Sequence, residues 1–156
     1  MKSMLAFVFT ALALSFVAGP AVAQEKKGSK QEAVAMVEKA IAHIKKVGRD
    51  KAFADFNSKS GGFVDRDLYV VIYDLKGKVL AHGANEKMIG KDVIELRDSD
   101  GKYFVKERVE MMSKGPNAKG WQDYKFMNPV SRQIEPKSMF IQRFEDIIVG
   151  CGIYKS

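Results

Sequence analysis

Few residues in this 156-residue chain could carry chemistry: two histidines, one cysteine and some acids beside turns. His82 closes an apolar run and is followed by Gly83. Strand ends and the loops after them often line pockets, although a structural histidine bonded to a loop carbonyl would look the same. His43 follows Ala40 by one helical step and reads as a partly exposed helix residue. No G-x-S-x-G elbow is present, and no nucleophile, base and orienter can be assembled around His82, so an enzyme is not expected. Asp98, Asp100 and Glu107 surround Gly101 as in a calcium loop. Placing Gly101 at the sixth position of such a loop puts Leu96 where the first carboxylate belongs. A turn is the better reading, with Asp100 capping the next helix. Cys151, between Gly150 and Gly152 in an apolar run, reads as a buried inert thiol. A lone cysteine excludes an internal disulfide framework and a multi-cysteine zinc site, and the C-x-x-C-H of an attached haem is missing. No metal and no cofactor is expected.

One constellation remains. Trp121, Tyr124 and Phe126 precede Lys137 and Phe140 by one strand, an aromatic-plus-cation set. Aromatic residues on strands are ordinarily core. That reading suits Phe126 better than Trp121 and Tyr124, which stand among polar neighbours. Lys137 follows Pro136 directly. It is either a lysine that protects a sheet edge or the positive charge that holds a carboxylate in a pocket.

These residues need elements to position them. Ser29 and Glu32 have the spacing of a capping box. Val34, Val37, Ile41 and Ile44 then recur at helical intervals until Gly48. Asp50 is placed to cap a second helical turn carrying Phe53 and Phe56. Leu68–Tyr73 is aromatic and β-branched, as strands prefer. Asp74–Gly77 is turn chemistry, and Lys78–His82 returns as an antiparallel partner. A short helical piece is expected around Met88, and an amphipathic helix from Phe104 or Val105 through Val109 and Met112. Three strands then follow, at Gly120–Met127, Ile134–Phe144 and Ile147–Tyr154, with Pro129 and Pro136 away from strand centres. The class is α+β, one sheet with helices on it.

The 46% hydrophobic content and the length suit one globular domain. A basic start at Lys2, an apolar stretch from Met4 to Ala18 and the small residues Ala21 and Ala23 form a secretory leader, cleaved after Ala23. The apolar run falls short of a membrane span. The expected organisation is residues 1–23 leader, 24–32 polar segment and 33–156 domain, with the mature protein in the periplasm. Losing Lys2 lowers the net charge by one from +7. The remaining lysines are scattered among acids without a dense stripe, so nucleic acid is not an expected partner.

In order, YVVIYD (Tyr69–Asp74), Gly77, VLAH (Val79–His82), IGKD (Ile89–Asp92), Asp98, Gly101, Gly120-Trp121, Tyr124, Asn128-Pro129, Pro136-Lys137 and VGCGIY (Val149–Tyr154) resemble the single Cache domain. This is the PAS-like extracytoplasmic sensor module of bacterial chemoreceptors and histidine kinases. The resemblance runs from about Ala33 to Tyr154. It implies a long N-terminal helix on a five-stranded antiparallel sheet, short helices between the second and third strands, and a small-ligand pocket on the other face. Positions matching the family's pocket are His82, Trp121, Tyr124 and Lys137, with Tyr103 or Phe104, Met139 and Phe140 as further additions. Phe140 stands where the family more often has Tyr, and Cys151 where it has a small residue such as Ser. The implied ligand is a short organic carboxylate or similar metabolite. The implied partner is a membrane sensor kinase, chemoreceptor or transporter, with the N-terminal helix a candidate homodimer surface. Family members usually carry flanking membrane helices and a signalling region. Only Lys155 and Ser156 follow Tyr154 here, so a stand-alone exported member is expected. The alternative is a ligand-independent accessory subunit that uses the domain as a docking surface.

Overall fold

The computed structural model describes residues 26–155. The leader expected over residues 1–23 lies outside the described residues, as do positions 24 and 25 of the polar segment. Helix α1 (Lys30–Val47) begins inside that segment. Ser29 Oγ accepts from the Glu32 N–H at 3.2 Å, and Glu32 Oε2 accepts from the Ser29 N–H at 2.7 Å. Together they satisfy backbone donors that a helix start leaves free. The N–H of Gly28 is tied to Asp67 Oδ1 at 2.7 Å, so the chain is already anchored before the helix starts. The buried stripe of α1 is Ala33, Val37, Ala40, Ile41 and Ile44. Gly48 ends it at φ 82°, a left-handed conformation that costs glycine little. Gly48 also opens α2 (Arg49–Asn57), so Asp50 sits in the first turn instead of capping it.

Seven residues form β2 (Leu68–Asp74), after a two-residue β1 (Val64–Asp65). The remaining strands are β3 (Val79–His82), β4 (Lys119–Met127), β5 (Ile134–Phe144) and β6 (Ile147–Tyr154). All pair antiparallel in the order β3-β2-β6-β5-β4, and β1 adds a short sixth strand alongside β2. The expected five strands are therefore present, with one small addition. A short 3-10 turn (Glu86–Met88) and α3 (Phe104–Met112) lie between β3 and β4. Asp100 does not cap α3. Its carboxylate pairs with Lys125 Nζ at 2.9 Å, while Asp98 accepts the backbone N–H groups of Asp100, Lys102 and Lys125. Among the described residues no helix is long and apolar enough to cross a membrane.

Alternation along the strands divides the interior into two cores. Val70 and Ile72 of β2, Phe140 of β5, and Val149 and Cys151 of β6 face α1 and α2. Tyr69, Val71 and Tyr73, with Met139, Ile141, Ile148 and Tyr154, face α3 and the loops before it. The Cys151 thiol is fully buried, and burial pushes its pKa up to about 12, so it stays an inert core thiol.

Candidate functional site

The site grows out of the second core. Lys137 stands on β5, which lies between β4 and β6, so it does not guard a sheet edge. Its side chain is fully buried. The ammonium donates to the Tyr69 hydroxyl at 2.7 Å and to the Tyr154 hydroxyl at 3.3 Å. Nζ also lies 4.0 Å from the Tyr69 ring centroid and 4.7 Å from that of Tyr154, which adds a cation–π attraction. The hydroxyls pass their own protons along: Tyr69 to Tyr154 at 3.2 Å, and Tyr154 to the Met127 carbonyl at 2.6 Å. Burial brings the Lys137 pKa down to about 7, and the Arg108 charge contributes in the same direction. Burial also raises the phenol pKa values of Tyr69, Tyr124 and Tyr154, so these hydroxyls keep their protons.

Space for the stem of Lys137 comes from β6. A Cβ at Gly152 would stand 2.6 Å from Lys137 Cε, and one at Gly150 would stand 3.1 Å from Met139 Sδ. The G-x-G of β6 therefore lets two β5 side chains lie flat across the neighbouring strand.

His82 closes the other end. Its ring stacks on Tyr69 with centroids 5.1 Å apart. Nδ1 accepts the backbone N–H groups of Asn85 at 3.0 Å and Ala84 at 3.3 Å. That fixes the neutral tautomer with the proton on Nε2. Burial, with the Lys137 charge adding to it, lowers its pKa to about 3. A cleft of about 590 Å³ opens between this strand end and the β4–β5 turn, with Tyr69, His82 and Phe126 in its wall. The charged side chains on its lining are Lys59, Arg66, Lys87 and Arg132, all cations.

The structure brings three of the expected site residues together: His82, Lys137 and Tyr124, the last being the direct cross-strand neighbour of Lys137. Tyr124 is buried, stacked on Phe104 at 4.6 Å, with its hydroxyl 3.7 Å from Met139 Sδ. Trp121 and Phe140 are brought together elsewhere. They pack with each other at 5.5 Å on the α1 side of the sheet, away from Lys137. Lys30 Nζ covers the Trp121 ring at 4.9 Å. The reason is the strand period: Trp121 and Tyr124 are an odd number of residues apart, so they leave β4 on opposite faces. Tyr103 precedes α3 and takes the Arg97 guanidinium on its ring and hydroxyl, outside the Lys137 cluster. Sequence reasoning missed Tyr69, Tyr154 and Arg108. The alternation of Tyr69, Val71 and Tyr73 was a signal for the first. For Arg108 it was the helical spacing Phe104, Arg108, Met112, which puts a cation on an apolar stripe.

The family model for single Cache domain 2 matches residues 12–156. The chain belongs to this family. Among curated proteins, the single Cache chain is 32% identical over 92 residues to the methyl-accepting chemotaxis protein McpP of Pseudomonas putida. The match covers 58% of this chain and 16% of that receptor, so the chain spans only a small part of the relative's length. Solved structures share the fold. A methyl-accepting chemotaxis protein of Vibrio parahaemolyticus superposes with a TM-score of 0.70 at 21% identity, over 80% of this chain and 87% of its own. The periplasmic sensor domain of a chemotaxis protein gives 0.63 at 24% identity, over 81% and 90%. A Cache chemosensory domain solved for its carboxylic acid recognition gives 0.68 at 20% identity, over 81% and 92%. The α+β, PAS-like architecture expected from sequence is thus the Cache architecture.

Proposed function

We propose that this single Cache domain is a periplasmic sensor for a short organic carboxylate, held by Lys137 behind the cationic cleft, and that it acts with a membrane partner rather than as an enzyme. The observation that carries the reading is Lys137 itself. An ammonium has three N–H donors, and two of them reach phenol hydroxyls rather than a carboxylate. Its hydrogen bonds reach only neutral groups, and the buried Asp67 carboxylate that attracts it is already engaged by the N–H groups of Gly28 and Tyr154, so its burial stays costly; a bound carboxylate would offset that cost through a charge-assisted bond to the remaining donor. Nε2–H of His82 supplies a neutral donor at the cleft wall. Arg66 is already paired with Glu32 and Asp65, and the other cations of the lining, Lys59, Lys87 and Arg132, would raise the local concentration of an anion. The solved Cache domain that recognises carboxylic acids supports the ligand class by family likeness alone. Export with removal of residues 1–23, a polar segment over 24–32 and a domain over 33–156 complete the proposal.

The test is thermal denaturation of residues 24–156 against a panel of small acids, amines and sugars. Short carboxylates should raise the melting temperature, and Lys137→Met should abolish the shift. No shift with any acid, or an equal shift in the variant, rejects the reading.

One observation favours a docking role instead. Met127, Val130 and Ile134, at the β4–β5 turn, are 46%, 48% and 53% exposed. Ligand-independent capture of a membrane sensor, lost on Val130→Ser, would support that alternative.

A further inference from the structure

The sheet face that carries Lys137 holds a second buried cation. Arg108 of α3 is fully buried. Its Nε donates to Gln122 Oε1 at 3.1 Å, and Gln122 is held in turn through Nε2 by the Phe104 carbonyl at 2.8 Å. Among the described residues, Nη1 and Nη2 have no hydrogen-bond partner. The guanidinium carbon sits 4.9 Å from the Tyr73 ring centroid and 5.2 Å from that of Tyr124. Ring faces attract the charge, but they do not satisfy donors that point outward in the guanidinium plane. Buried donors normally have partners. The side chain is thus fixed at Nε, while its terminal fork lies near the Tyr73 and Tyr124 hydroxyls without a hydrogen bond of normal geometry to either, and so keeps the donors that a carboxylate accepts bidentately.

Arg108 packs on the strand neighbour of Lys137. Tyr124 is directly opposite Lys137 across the β4–β5 pair, and Arg108 lies over the Tyr124 ring. The hydrogen bonds of both cations go to neutral groups, Gln122 for one and two tyrosines for the other. A monocarboxylate on Lys137 would neutralise one charge and leave the other. We infer that Arg108 is a second anion-binding residue of this site, and that the ligand is a short dicarboxylate with one end on Lys137 and the other on the Arg108 fork. The inference rests on Lys137 being the carboxylate-binding residue. Phe126 lines the cleft wall, with its ring centroid 5.8 Å from Lys137 Nζ, and packs edge-on against Phe104 at 5.8 Å, whose ring lies 5.5 Å from the Arg108 guanidinium.

Calorimetric titration of the wild-type domain with propionate, malonate, succinate and glutarate at about pH 6.5, where these carboxylates are largely ionised, tests it. At least one diacid should bind about tenfold more tightly than propionate or better. Arg108→Met, which fills the aromatic cage with an apolar chain, should erase that preference while propionate affinity stays within about twofold. If Arg108→Met does not fold, Arg108→Lys keeps the charge, loses the fork, and should cut the ratio about tenfold. No diacid binding more tightly than propionate, or a ratio that survives both substitutions, overturns the inference. If propionate binds through Lys137 and no diacid preference exists, only the role of Arg108 falls. If neither acid class binds wild type, the carboxylate reading falls with it.

Discussion

Burying Lys137 without a carboxylate costs the fold stability, and its tyrosine partners offset that cost only in part. Removing the charge leaves no hydrogen-bonding orphan, because Tyr69 still bonds Tyr154, Tyr154 still bonds the Met127 carbonyl, and the nearby Asp67 carboxylate keeps the N–H groups of Gly28 and Tyr154. Lys137→Met should therefore keep or raise the melting temperature of the free protein while weakening carboxylate binding by about thirtyfold or more. A loss of both would mean a structural lysine. The pH dependence has a definite sign. Free Lys137, lowered to about 7 by burial, loses its proton above neutrality, and a bound carboxylate favours the ammonium. Above about pH 7, binding must bring in a proton, so affinity should fall by up to about tenfold per pH unit. Below that pH it should level off until the ligand itself protonates. Titrations from pH 6 to pH 9 read this directly, and a flat profile contradicts it. At this scale Lys137, Tyr124 and His82 were legible as residue types at strand positions. Trp121 and Phe140 were drawn into the same set by proximity in sequence, although strand parity sends them to the α1 face. Arg108 stayed hidden because a charge on a helix reads as solvated until its apolar neighbours at both helical steps are weighed.

The elements explain why Lys137 can be buried at all. Its stem lies across β6 only because Gly152 has no side chain, and Gly150 does the same for Met139. Gly152→Val should displace the ammonium from Tyr69, weakening carboxylate binding by about tenfold or more and lowering the melting temperature by several degrees. The variant is read by titration beside a thermal melt. Unchanged affinity would mean that the lysine reaches its partners by another path. The sequence made most elements readable, because period and punctuation agree in them. The α1 box at Ser29 and Glu32, the Gly48 stop, the Asp74–Gly77 turn and the three C-terminal strands each carry a local signal. Asp100 reads as a cap in sequence but caps nothing in the fold, because helix caps and Asx turns use the same short acids. Here Asp98 gathers three backbone donors while Asp100 faces Lys125. The G-x-G of β6 was visible, but its purpose depends on a register that only the paired strands define.

At the scale of the whole molecule, two cores on either side of one sheet divide the labour. The α1 side is apolar packing, and the α3 side carries Lys137, Arg108 and four tyrosines beneath a cationic cleft. The expected leader gives a prediction at this scale. Expressed with residues 1–156 in a bacterium, the exported protein should begin at Gln24 by intact mass, and an exported form retaining Met1 would contradict cleavage after Ala23. A crystal structure grown with a short carboxylate, at a concentration that saturates binding in solution, shows whether Lys137 holds a carboxylate in this second core. Density is expected on the Tyr69 side of the sheet, with a carboxylate oxygen about 2.8 Å from Lys137 Nζ. Density confined to the Trp121 face, or an unliganded Lys137 at saturating acid, would contradict it.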